Sequence, residues 1–160
     1  MEVVKTKEHA WLQRFVGEWT GAGTCEMGPG QPAQTFDVEE SVRPIGDVWI
    51  QSEGRGKMPD GTPSITLVTL GFDPDRKRFV GTFIGSMMTY LWIYDGELDR
   101  SERVLTLNAE GPSMIGDGKM TKYQDIVEVK DEDHRTLSSQ ILMPDGTWTK
   151  FMTAHYRRKR

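Results

Sequence analysis

One cysteine, Cys25, is the entire thiol content of this 160-residue sequence. An internal disulfide and a two-cysteine metal site are therefore excluded, and a lone thiol fits a reducing compartment. No run approaches the roughly 20 apolar residues that a membrane-spanning helix needs. The opening segment, Met1 to Ala10, carries Glu2, Lys5, Lys7 and Glu8 and has no apolar centre. No secretory signal is expected from it, and the expected location is cytoplasmic. Charge of one sign is also lacking: the net charge is −4, which gives no general attraction to nucleic acid. The basic end Arg157-Arg158-Lys159-Arg160 is a local exception and reads as a solvated terminus. There is no Gly-x-Gly-x-x-Gly or Gly-x-x-x-x-Gly-Lys phosphate loop, and Gly21-Ala22-Gly23 opens no helix. There is no Gly-x-Ser-x-Gly elbow, and Cys25 has no histidine beside it in sequence. These absences favour a binding protein over an enzyme, and no reaction is assigned.

Helix is scarce too. The one helical pattern is Lys7 to Val16, where Trp11, Leu12, Phe15 and Val16 recur at spacings of three and four, and Gly17 then stops it. After it the chain alternates short β-prone segments with turns. Strands are expected at Thr20 to Met27, Thr35 to Arg43, Val48 to Lys57, Ser64 to Phe72 and Arg78 to Ile84. Five more are expected at Thr89 to Tyr94, Val104 to Ala109, Lys122 to Lys130, Arg135 to Met143 and Trp148 to Arg157. Pro59-Asp60-Gly61-Thr62 and Pro144-Asp145-Gly146-Thr147 supply near-identical turn chemistry.

Ten short strands without crossover helices imply an antiparallel meander, and such a sheet hides its edges best by closing. The expected fold is all-β: a closed or nearly closed barrel of about ten strands with one short N-terminal helix. Residues 1–160 are read as a single domain.

The segment Gly17-Glu18-Trp19, just before the first strand, resembles the Gly-x-Trp start of the lipocalin and fatty-acid-binding (calycin) superfamily. That resemblance implies a tryptophan closing one barrel end, with a basic residue of the last strand, Arg157 or Arg158, packed across it. The segments Leu12 to Thr20, Gly71-Phe72-Asp73-Pro74, Gly81 to Met87 and Asp145-Gly146 resemble an uncharacterised bacterial family, the domain of unknown function numbered 1579. That family implies a lipocalin-like fold, carries no established activity and leaves the function open. The haem barrel nitrobindin is a more distant look-alike.

Alternation sorts the faces. Tyr123, Asp125, Val127 and Val129 are expected inside, as are Phe36, Val38, Glu40 and Val42. Trp49, Gln51, Glu53 and Arg55 share one face. Met88, Tyr90, Trp92 and Tyr94 share another, and since neither face of that segment is polar, the inward one is left open. Candidate ligand-binding residues are Trp49, Met88, Tyr90, Trp92 and Trp148 as apolar lining, with Glu53, Arg55 and Gln140 orienting. Arg55 is also a candidate partner for an inward carboxylate among Glu40, Glu53 and Asp125. The expected partner is a small apolar or amphipathic molecule, with neither nucleic acid nor membrane, and a homodimer is left open. No cofactor is expected. The alternatives are a filled structural or interaction barrel, and a haem barrel with His155 as the axial ligand.

Overall fold

The computed structural model describes residues 1–26, 28 and 30–160. Helix α1 (Lys7–Gln13) is followed by ten strands: β1 (Gly17–Cys25), β2 (Gln34–Ile45), β3 (Trp49–Lys57), β4 (Pro63–Asp73) and β5 (Arg78–Gly85). The second half comprises β6 (Trp92–Leu98), β7 (Val104–Pro112), β8 (Met120–Asp131), β9 (His134–Leu142) and β10 (Trp148–Arg158). Every strand pairs antiparallel with its sequence neighbour, and β1 pairs with β10, which closes the barrel. The last residue of the first expected strand, Met27, lies outside the described residues. Among the described residues no helix is long and apolar enough to cross a membrane.

Nine of the ten expected strands sit within about three residues of the observed bounds. The sixth is displaced. It was expected at Thr89 to Tyr94 but runs from Trp92 to Leu98. Asp95 and Gly96, beyond the expected end, both serve the strand. On the outer face Asp95 accepts two hydrogen bonds from Arg78, each 3.0 Å. On the inner face, a side chain at Gly96 would come within 2.8 Å of Leu107 and 3.4 Å of Phe79, so the glycine makes room for the core.

The two ends of the barrel differ. Helix α1 lies across one end and buries Trp11 and Leu12, and Phe15 just after it is buried with them. Trp11 packs edge-on against Phe79, with 6.0 Å between ring centroids, and its indole N–H donates to the Glu102 carbonyl at 2.7 Å. The His9 Nε2–H donates to the Phe72 carbonyl at 2.9 Å, while its Nδ1 accepts from the Thr6 N–H at 2.9 Å. Beneath the helix, Phe79 and Leu105 are essentially inaccessible. Side chains of this size contribute roughly 1.5–3 kcal/mol each when fully buried.

Gly17 makes the passage from helix to β1. Its φ of +137° is in a region that side chains rarely adopt, and a Cβ there would lie 2.6 Å from Arg158 Nη1. That guanidinium donates to the carbonyls of Val16 at 2.7 Å and Arg14 at 2.8 Å, tying the end of the helical segment to the last strand.

Candidate functional site

The pairing register fixes which side chains enter the barrel. Trp19 stands opposite Glu40 and Arg158, Leu107 opposite Asp125, and Asp125 opposite Ser139. The expected inward sets on β2 and β8 face inward as read. The tryptophan that closes the end is Trp19, with only 2% of its surface exposed. Its N–H donates to the Phe15 carbonyl at 2.8 Å. Of the two arginines expected to cover it, Arg158 does so, at 4.3 Å from the ring, while Arg157 points outward and is exposed.

A second arginine covers Trp19 as well. The Arg135 guanidinium lies 4.4 Å from the Trp19 ring and 4.3 Å from the Tyr156 ring. It is buried and forms an ion pair with Glu40, also nearly inaccessible. One of its nitrogens, Nη1, has no hydrogen-bond partner among the described residues, and the flanking ring faces provide its remaining contacts. Glu40 is thus inward, as expected, but its partner is Arg135 and not Arg55.

Several candidate ligand residues lie outside the barrel. Trp49 is 42% exposed and packs over Gly71 on the outer wall. Glu53 and Arg55 pair with each other at 2.8 Å on that wall, beside an open groove of about 450 Å³ that Glu39 and Lys159 also line. Gln140 belongs to an outer hydrogen-bond ladder, donating to Gln124 at 2.7 Å, while Gln124 donates to Asn108 at 3.0 Å. Trp148 pairs with Leu142 at the outer rim and is 39% exposed.

His155 also faces outward, stacked on His134 with 5.7 Å between ring centroids. The cause is a bulge between Lys150 and Met152. Phe151 is the extra residue, so alternation counted from it selects the wrong face. Met152, Ala154 and Tyr156 point inward instead, opposite Ser139, Leu137 and Arg135. His9 is engaged in the helix cap, so none of the three histidines faces the lumen, and the haem reading loses its axial ligand.

The remaining candidates meet at the end opposite the helix. Trp92 faces inward, with its ring centroid 4.9 Å from that of Tyr90 and 4.9 Å from that of Tyr123. Phe151 extends this row, 6.2 Å from Tyr123. The Trp92 N–H donates to Met88 Sδ at 3.0 Å, and the Tyr90 hydroxyl to the Glu110 carbonyl at 2.9 Å. A concavity of about 280 Å³ adjoins this mouth, lined by Ile115, Met120, Thr121, Ile141 and Met143 among others.

Between mouth and helix-covered end, Phe36, Val38, Val68, Phe83, Val127, Leu137 and Met152 point inward yet are only half-buried. Inward residues that keep accessible surface must border open space. Asp125 lies among them, deep in the barrel and still partly accessible. It accepts a hydrogen bond from the Tyr94 hydroxyl and another from Ser139 Oγ at 2.5 Å.

Residues 4–158 match the family described as "Protein of unknown function (DUF1579)". The chain belongs to this family. No curated protein matches it. Among solved structures, this DUF1579 chain is similar to Rv2717c from M. tuberculosis, with a TM-score of 0.66 at 15% identity over 98% of this chain and 100% of that one. It is also similar to the S-type phycobiliprotein lyase CPES from Guillardia theta, with a TM-score of 0.60 at 12% identity over 98% and 94% of the two chains. EF1p2_mFAP2b bound to DFHBI gives a TM-score of 0.50 at 14% identity over 94% and 98%. At these identities the likeness is one of fold.

Burial pushes the Asp125 carboxyl of the DUF1579 barrel up, and the hydrogen bonds from Ser139 and Tyr94 offset part of that rise. Between the unfolded and folded values, the folded chain holds a proton that the unfolded chain has released. Stability from this group therefore falls as pH rises through that window. Asp125→Asn, which cannot ionise, is expected to gain stability relative to the parent as pH is raised from ~4, the unperturbed aspartate range. Urea unfolding of both proteins across that window measures the difference; a constant offset would show that Asp125 is not desolvated.

Proposed function

We propose that this protein is a small-molecule carrier of lipocalin type. It holds one largely apolar molecule in the barrel and admits it through the mouth opposite helix α1. The observation that carries the reading is the contrast in burial along the inner wall. Beneath the helix Phe79 and Leu105 are sealed, whereas farther along Phe36, Val38, Phe83, Val127 and Leu137 stay half-buried among sealed residues such as Tyr123, Ser139 and Ile141. A core filled for stability alone would be sealed throughout, because interiors pack to crystal density.

The mouth supports the same reading. Trp92, Tyr90, Tyr123 and Met88 form an adaptable apolar rim, and such groups supply most of the contact area in small-molecule sites. The neighbouring folds that carry DFHBI and that belong to a phycobiliprotein lyase are compatible with a ligand-bearing barrel.

Native mass spectrometry of the purified protein tests for a retained ligand. Titration with Nile red, an uncharged apolar dye, tests the empty barrel. Saturable binding of one dye is expected, weakened about tenfold in Trp92→Ala, the equivalent of ~1.4 kcal/mol of lost contact. The absence of both a retained ligand and saturable dye binding would leave only a structural barrel.

A further inference from the structure

We propose that the buried end of the ligand is a cationic hydrogen-bond donor, an amine or amidine carried on an apolar body, and that Asp125 receives it. This inference rests on the reading of the barrel as a carrier and adds the chemical class of its cargo.

The inner wall holds three charged groups whose positions matter here: Glu40, Arg135 and Asp125. Two of them neutralise each other. Arg135 is the group that a fatty acid or phosphate would need, and it is closed off. Glu40 takes its charge, the rings of Phe15, Trp19 and Tyr156 flank it, and the side chain is 9% exposed. Tyr156 borders this sealed pair: its ring lies 4.3 Å from the Arg135 guanidinium, and burial, with the Glu40 charge, pushes its phenol up.

Asp125 is in the opposite situation. It has two neutral donors, Tyr94 and Ser139, one on each carboxylate oxygen, and no cation among the described residues. An ionised carboxylate oxygen accepts more than one hydrogen bond, so each retains capacity toward the lumen. Its partners Tyr94 and Ser139 and the cross-strand Leu107 are buried, while Val127 on its own strand and Leu137 beside Ser139 are half-buried and keep surface toward the lumen. A buried carboxylate without a counter-ion is costly, and a ligand that brings one recovers that cost on binding. An anionic head would meet a like charge at the same place. The apolar walls formed by Val38, Val68 and Phe83 then take the body of the molecule, and the aromatic mouth its outer end.

The test uses two fluorescent probes with the same apolar tail: dansylundecylamine, ending in an ammonium, and dansylundecanoic acid, ending in a carboxylate. The amine should bind the parent protein at least about tenfold tighter, in line with a hydrogen bond to a charged group. Asp125→Asn should erase that preference while Nile red binding persists. If Asp125→Asn does not fold, Asp125→Ser replaces it, keeping a small polar group for Tyr94 and Ser139. Equal binding of the two probes, tighter binding of the acid, or a preference that survives loss of the carboxylate would overturn the assignment to Asp125 and leave the carrier reading standing. Failure of both probes and of Nile red would overturn the carrier reading itself.

Discussion

Replacing Trp19 by alanine should cost about 3–5 kcal/mol of stability, the range for removing a large aromatic side chain from a packed core. The ring is 2% exposed, so almost all of its surface leaves water on folding. It is held between two guanidinium groups, Arg135 at 4.4 Å and Arg158 at 4.3 Å. Each such contact is worth on the order of 0.5–2 kcal/mol, more when desolvated, as Arg135 is. The variant also frees the Phe15 carbonyl, which accepts the indole N–H at 2.8 Å. Trp19→Phe keeps most of the ring and loses that hydrogen bond, so it should cost distinctly less. Midpoints of urea unfolding at constant m-value give both numbers. A Trp19→Ala protein as stable as its parent would mean that the ring does not close the barrel end.

The architecture was readable because local chemistry repeats. Turn residues punctuate the chain, and alternation on β2 and β8 has one clearly wet face, which forces the other inward. On β3 the same rule names the partners but the aromatic weight of Trp49 misleads. Its face carries Gln51, Glu53 and Arg55 and is the wet one, while the inner face is Ile50, Ser52, Gly54 and Gly56. The small inner residues let neighbours close in, with Thr66 Oγ1 2.5 Å from where a Gly54 Cβ would stand, and a search for bulky lining overlooks them. On β10 a single inserted residue, Phe151, inverts the parity and sends His155 outward.

Tyr94, Ser139, Tyr156 and Arg135 were not singled out, although the signal for two of them was present. Leu137 and Ile141 are apolar at alternate positions of β9, which sets Arg135 and Ser139 on the same inward face. A charged residue in phase with a buried apolar set indicates a buried ion pair. Its partner stays hidden, because Glu40 is 95 residues away and only barrel closure brings it near.

That pair gives the second large effect. Arg135→Met should destabilise the fold by about 3–5 kcal/mol, because it strands the Glu40 carboxylate in a site with almost no access to water. Glu40→Leu should cost a comparable amount, leaving Arg135 charged among three aromatic rings. The double variant should cost far less than the sum. It removes both charges at once, and apolar groups of similar volume can fill the space. The residual cost of the double variant measures what the cation–π contacts contribute beyond the ion pair, since these are lost whenever Arg135 is replaced. A double-mutant cycle in urea at neutral pH reads the coupling directly. Additive costs would mean that Glu40 and Arg135 do not share a desolvated site, and that the closed end of the barrel is wetter than the burial of these residues implies.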